Sequence, residues 1–399
     1  MYNEASYQLG AQRSCIRELY EYGRQRAAIV GAENVLDFSL GNPSQPCPQA
    51  VTDAIREIVE TTDPVALHGY TPAIGDPETR QAIADDLNER YDAGVRPQDL
   101  FITCGAAPGL TAIFKALATP GAEVLAVAPY FPEYKPFAET AGLKFNVVPP
   151  ISHKLKLNPL LVEQYLTPNT VAIIINNPGN PTGMVTKEKI FLPFVRMLER
   201  KAAEYGHPIY IISDEPYREL VYEDAVATFL PKLYPDTIVC YSWSKSLSLP
   251  GERIGYVYVP EKATHSREIY TAIAGAARSM GHVCAPSLWQ KVIAKCAGVR
   301  PELSLYDANR KKLFYTLAVI GYELARPQGA FYIFVRIPGG DHTAFLEKAK
   351  ARDLLLVPGD DFGAPGYFRM CYCVEPEKVQ KALPILAELY RDAVSDVRI

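Results

Sequence analysis

The segment SWSKSLSLPGERIGY (242–256) sets one lysine, Lys245, among hydroxyls directly after an apolar, strand-like run. Desolvation at such a position favours the neutral amine, which can form a Schiff base with a carbonyl. Arg253 follows eight residues on and carries the fork that grips a phosphate bidentately. The same spacing also suits an ordinary surface loop. SDEPYREL (213–220) adds Asp214 at a strand end and Tyr217 three residues later. A buried carboxylate beside a pyridine-type nitrogen keeps that nitrogen protonated and makes the ring an electron sink. Tyr217 could then bond a phenolic oxygen. The alternative for Asp214 is a cap on the following turn.

Three further segments carry chemistry. NNPGNPTG (176–183) is a tight loop whose Asn-Pro bonds are cis candidates, and it would present Asn180 rigidly or serve as a plain turn. ITCGAAPGLTAIFKAL (102–117) is a strand, a small-residue turn and a helix with Leu110, Ile113, Phe114 and Leu117 on one face. At its start Gly105, Ala106 and Ala107 leave backbone N–H groups uncovered, where an anion is stabilised. In FRMCYCV (368–374), Arg369, Cys371 and Cys373 share one strand face. An inward arginine requires an anionic partner. The two cysteines read as small core filling, since no second cysteine pair or histidine cluster accompanies them, and no metal is expected.

Positioning these groups takes a sheet. Apolar runs at 100–103, 123–128, 144–148, 170–175, 209–213, 237–242 and 253–259 alternate with helical patterns, which predicts an α/β fold with βαβ units and a mostly parallel sheet. A helix is expected over roughly 13–30, and a strand running into a turn-rich loop over 38–48. Beyond about 290, long helices precede runs at 329–337, 354–358 and 368–374, the pattern of a smaller α+β domain. In open α/β sheets ligands collect at the carboxyl ends of the strands. Cys104-Gly105, Asn176-Asn177, Asp214-Glu215 and Ser242 to Lys245 all fall at such ends.

Composition narrows the classes. Over 399 residues, Lys plus Arg is 41 and Asp plus Glu is 45, so the net charge of −4 argues against a duplex-coating protein. Eight scattered cysteines do not form a secreted disulfide framework. The N-terminal stretch lacks a signal-peptide core, and no apolar run reaches membrane-span length. The expected setting is a reducing cytoplasm, with neither nucleic acid nor membrane as partner.

Taken in order, NNPGNPTG, SDEPY, SWSK, Arg253 and a late Arg369 resemble the fold type I pyridoxal-5′-phosphate enzymes, most of all the class I and II aminotransferases. The likeness runs from about residue 35 to about 390. It implies an N-terminal arm and part of a small domain over 1–45, a large cofactor-binding domain over 46–290 and a small C-terminal domain over 291–399. It implies Lys245 as the Schiff-base lysine and Asp214 as partner of the pyridine nitrogen, with Tyr217 and Asn180 on the phenolic oxygen. Ser242, Ser244, Arg253 and the N–H groups following Gly105, at Ala106 and Ala107, would hold the phosphate, and Phe131 would stack on the ring. Arg369, with Asn180 and the Gly41 N–H, would bind the substrate α-carboxylate. Tyr70 would reach the phosphate of a neighbouring subunit, which implies a homodimer with shared sites. The implied reaction is ping-pong transfer of an amino group from an L-amino acid to a 2-oxo acid.

One departure bears on specificity. Many relatives of this subgroup carry a lysine after the phosphate-loop glycine, where this chain has Ala106-Ala107, so a broad donor range without selection for aspartate or glutamate is expected. Arg278 is a substitute cation from a neighbouring subunit, or else a surface residue. The rival functions are a lyase of C–S or related bonds on the same fold and a non-catalytic binder of the cofactor or of amino acids.

Overall fold

The computed structural model describes residues 1–11, 14–151 and 155–395. A short helix at Glu4–Ala11 precedes the N-terminal helix expected over 13–30, which spans Cys15–Val30; residue 13 lies outside the described residues. A short strand, β1 (Leu36–Asp37), follows. The strand expected to open 38–48 lies at Leu36–Asp37 instead, and 38–48 is the expected turn-rich loop. Pro43, Pro46 and Pro48 have no N–H to give to a ladder, so pairing stops early.

The central sheet holds β2 (Leu100–Thr103), β3 (Glu123–Val127), β4 (Lys144–Val148), β5 (Thr170–Asn176), β6 (Tyr210–Asp214), β7 (Thr237–Ser242) and β8 (Gly255–Tyr258). Their order is β2-β8-β7-β6-β5-β3-β4. The pairs from β4 through β7 are parallel, while β8 runs antiparallel to both β7 and β2. No crossover helix lies between β7 and β8, so β8 has to return in the opposite sense. The carboxyl ends of β2, β5, β6 and β7 therefore share one edge with the start of β8. Ile174 and Ile212 pack toward the helices Ala106–Leu117 and Ser266–Ser279, whereas Ile173 and Ile211 pack toward the helix Glu188–Tyr205. Burial on both faces explains the continuous apolar runs.

A second sheet joins β9 (Tyr332–Arg336), β11 (Val357–Pro358) and β12 (Tyr367–Cys371) in the antiparallel order β11-β12-β9. β1 pairs in parallel with β10 (Leu354–Leu355), so a segment near the N-terminus completes this unit. The helices Ser304–Ile320 and Pro376–Ser395 close its core on Phe331, Ile333, Phe368 and Met370. The fold is α/β with a mostly parallel central sheet and a smaller α+β unit. Among the described residues, no helix is long and apolar enough to cross a membrane.

Candidate active site

The shared strand edge opens into a cavity of about 430 Å³. Of the residues singled out above, Gly41, Ala106, Ala107, Phe131, Asn180, Asp214, Tyr217, Ser242, Ser244, Lys245, Arg253 and Arg369 line it. The small unit supplies Arg369 and the large sheet most of the rest, so the cavity lies where the two meet.

Lys245 follows β7 and donates from Nζ to the Gly41 carbonyl at 2.7 Å. Its stem is partly exposed along the cavity, yet the walls enclose the amine. Desolvation brings its pKa down to about 8, where an ordinary lysine sits at 10.5. The Gly41 backbone comes so close to the Tyr332 hydroxyl that a Cβ there would overlap it.

Asp214 ends β6 and is buried. Its Oδ2 accepts from the Tyr134 hydroxyl at 2.5 Å and from Asn176 Nδ2 at 3.3 Å. Its Oδ1 is buried with no hydrogen-bond partner among the described residues. Burial raises this carboxyl from 3.8 to about 7, against the lowering effect of the Tyr134 hydroxyl. A buried orphan acceptor of this kind calls for a donor from outside the chain.

The phosphate-loop segment behaves as its small residues predict. Gly105 precedes the helix Ala106–Leu117 at φ +92°, and no side chain caps the helix start. A Cβ on Gly105 would stand 2.6 Å from Arg253 Nη2, so glycine lets the guanidinium lie against the loop. Arg253 itself has φ +54°, a costly conformation for a side chain of its size. Ser242 and Ser244 are buried alongside, with Ser242 Oγ donating to Ser244 Oγ at 3.1 Å. Free N–H groups, two hydroxyls and one guanidinium make a cradle for a dianion.

Arg369 on β12 is buried beneath the small unit. Its Nη1 donates to Asn180 Oδ1 at 3.0 Å and its Nη2 to the Ser39 carbonyl, while Nε finds no partner among the described residues. Asn180 is held by its own N–H on Asn176 Oδ1 at 2.6 Å, and both Asn-Pro bonds of the loop are cis. Cys371 and Cys373 are buried, Cys371 Sγ donating to the Leu40 carbonyl at 3.1 Å.

Tyr70 and Arg278 do not line the cavity of their own chain. Tyr70 is 94% exposed, and Arg278 is exposed near the end of the helix Ser266–Ser279. Other residues escaped the sequence reading. Tyr134 fixes Asp214, and Tyr332 bonds the Tyr217 hydroxyl at 2.9 Å while lying under the Arg369 guanidinium at 4.6 Å. Tyr134 opens the helix Tyr134–Ala141, and Phe131 lies before that helix, so no helical spacing links the two. The N-terminal helix also brings Ile16 and Arg17 to the cavity, and nothing in their local pattern marks them.

The set fits pyridoxal 5′-phosphate with an amino acid beside it: a dianion cradle, an orphan carboxylate oxygen for a protonated ring nitrogen, an amine of lowered pKa and an orphan guanidinium nitrogen for a carboxylate.

Comparison with known proteins gives the same direction. Residues 33–386 match the family aminotransferase class I and II. The chain is 30% identical to a probable N-acetyl-LL-diaminopimelate aminotransferase of Bacillus subtilis, over 89% of each chain. It is 31% identical to an aspartate aminotransferase of Thermotoga maritima, over 90% of this chain and 92% of that one. Among solved structures, an amino transferase from Eubacterium rectale is 48% identical, with a TM-score of 0.96 over 98% of this chain and 99% of that one. The chain belongs to the class I and II aminotransferases, and is a transaminase that depends on pyridoxal 5′-phosphate.

Proposed function

We propose that Lys245, Asp214 and Arg369 carry the transfer of an amino group from an L-amino acid to a 2-oxo acid. The supporting observation is their convergence on one cavity, with Asp214 Oδ1 and Arg369 Nε both lacking partners among the described residues. When bound, pyridoxal 5′-phosphate supplies an aldehyde that condenses with amines and a ring that draws electrons from the adjoining carbon. Arg253, Ser242, Ser244 and the N–H groups of Ala106 and Ala107 hold its phosphate. Phe131 would cover one ring face, and Tyr217 and Asn180 would bond its phenolic oxygen; all three line the cavity. Asp214, buried and desolvated, keeps a proton on the ring nitrogen.

Arg369 fixes the α-carboxylate of the incoming amino acid, assisted by Asn180 and the Gly41 N–H. That contact orients the α-hydrogen toward Lys245. Lys245 Nζ, uncharged above about pH 8, accepts the α-proton and later returns it. Water would supply the oxygen of the departing 2-oxo acid, the amino group staying on the bound cofactor, and a second 2-oxo acid would take that group up with return of the water.

The cavity is also lined by the apolar Ile16, Leu40 and Phe137 and by Arg17 and Glu133, whose charges are opposite. This supports a broad donor range without selection for dicarboxylates, although several relatives are named for aspartate or for aspartate and prephenate. The exposure of Tyr70 supports a homodimer in which Tyr70 of a second copy reaches the phosphate. A division into 1–45, 46–290 and 291–399 is supported by the core that joins Leu36 and Phe38 to residues 306–389, although Val292, Ile293 and Cys296 pack with the large unit. The proposed setting is the cytoplasm.

The test is a panel of amino acids, including aspartate, alanine and phenylalanine, mixed with holoenzyme in the absence of any acceptor. Loss of the visible cofactor band with one equivalent of 2-oxo acid supports the proposal. Continuous release of pyruvate and ammonia would make the enzyme a lyase. A kcat/KM for aspartate far above the others, collapsing in Arg278→Ala, would overturn the broad donor range.

A further inference from the structure

Behind the cavity, on the opposite face of β6 and β7, lies a buried polar chain whose side chains do not line the cavity. Ser213 Oγ donates to Glu215 Oε1 at 2.6 Å, and Glu215 Oε2 accepts from Arg218 Nη1 at 3.0 Å. Arg218 Nε reaches Glu219 Oε1 at 3.3 Å and Nη2 reaches the Tyr256 hydroxyl at 2.6 Å. Glu219 Oε2 accepts from the Tyr241 hydroxyl at 2.9 Å, and Tyr241 meets Ser246 Oγ at 2.8 Å. Tyr241 has a single proton, which the Glu219 carboxylate takes, so Ser246 is the donor to Tyr241. Arg90 Nη1 adds a second cation on Glu219 at 2.7 Å, balancing two carboxylates with two guanidiniums. The Arg218 guanidinium stacks 4.3 Å above the Tyr241 ring.

The members of this chain are sequence neighbours of the cavity residues. Ser213 and Glu215 flank Asp214, Arg218 follows Tyr217, Tyr241 precedes Ser242, and Ser246 follows Lys245. Side chains along a strand alternate between faces, so each residue that enters the cavity from β6 or β7 leaves its neighbour on the far side. Those neighbours are bonded to one another across two strands and the loop after β7.

We propose that the chain from Ser213 to Ser246 is a rigid brace that sets the distance between Asp214 and Lys245, and that Tyr241 and Ser246 are positioning residues for the reaction. A network of buried ions adds little net stability over apolar packing, but its bond directions fix geometry. The Tyr241–Ser246 bond is a side-chain hydrogen bond that joins this polar chain to the loop carrying Lys245. The inference rests on Lys245 being the cofactor lysine.

The test is a double-mutant cycle in the holoenzyme, with Tyr241→Phe, Ser246→Ala and the pair. It is read by kcat, KM, the visible circular dichroism of the bound cofactor and the melting temperature. Each single variant should lower kcat by about tenfold, as expected for misplacement well under 1 Å. KM for the donor should stay within about twofold, because Arg369 is untouched. The dichroism band should change, and the pair should be no worse than Tyr241→Phe alone, because that variant already loses the bond to Ser246 along with the bond to Glu219. Wild-type kcat and dichroism in the variants overturn the brace, even if the melting temperature falls, and so does a multiplicative loss in the pair. Should Tyr241→Phe fail to fold, Ser246→Ala decides by the same two readouts. A borohydride label on a lysine other than Lys245 would remove the underlying assignment. A label on Lys245 with unperturbed variants removes only the brace.

Discussion

Replacing Asp214 by asparagine should stabilise the cofactor-free protein while disabling the enzyme. Burial raises the Asp214 carboxyl from 3.8 to about 7. The folded chain therefore holds this proton at higher pH than the unfolded chain does. The carboxyl costs nothing below 3.8, its cost grows as the pH climbs toward 7, and above 7 the cost stays constant. At roughly 1.4 kcal/mol per pH unit, the full cost is about 4 kcal/mol at pH 8 and about 2 kcal/mol at pH 5. Asparagine is neutral throughout and keeps an oxygen for the Tyr134 hydroxyl. Urea unfolding of apoprotein should show wild type losing stability between these two pH values relative to Asp214→Asn, by about 2–3 kcal/mol. With cofactor restored, the order of merit reverses, since a protonated ring nitrogen beside the carboxylate supplies the missing donor. Turnover of the variant should fall by orders of magnitude. Parallel pH dependence in the two apoproteins would refute the claim that Asp214 is desolvated and unpartnered at Oδ1.

The remaining predictions concern the other cavity groups. Binding of pyridoxal 5′-phosphate to apoprotein should accelerate as the pH rises through about 8, where Lys245 loses its proton, and a midpoint near the 10.5 of an ordinary lysine would contradict its desolvation. Arg369→Ala should reduce kcat/KM for every donor alike by about 10- to 100-fold, the equivalent of roughly 1.5–3 kcal/mol for a charge-assisted bond; a loss confined to some donors would remove Arg369 from the α-carboxylate. Mixed dimers of Lys245→Ala with an inactive Tyr70→Ala protomer should recover part of the activity, and no recovery after proven subunit exchange would count against a shared site.

The sheet was legible in the sequence because its strands are short apolar runs buried on both faces, as at Thr170–Asn176 and Thr237–Ser242. The polar residues ending those runs marked the cavity edge before any coordinates. In the segment 38–48 the turn-rich loop is legible from its three prolines, whereas the strand ahead of it lies two residues earlier, at Leu36–Asp37, because its extent depends on pairing with the distant Leu354–Leu355. Tyr134 and Tyr332 were missed for a different reason. FPEYKPF does not disclose which way its helix turns, and GAFYIFVRI is apolar on both faces, so neither reveals that its tyrosine meets Asp214 or Tyr217. The brace from Ser213 to Ser246 depends on which strands become neighbours, and local spacing holds no record of that.

The most direct measurement is reduction of the holoenzyme with borohydride, followed by peptide mapping. The account predicts a pyridoxyl group on Lys245 in the peptide containing SWSKSLSLPGER, at one group per chain. A label on any other lysine, or a stable complex with no label at all, would contradict the assignment of Lys245 on which the mechanism rests.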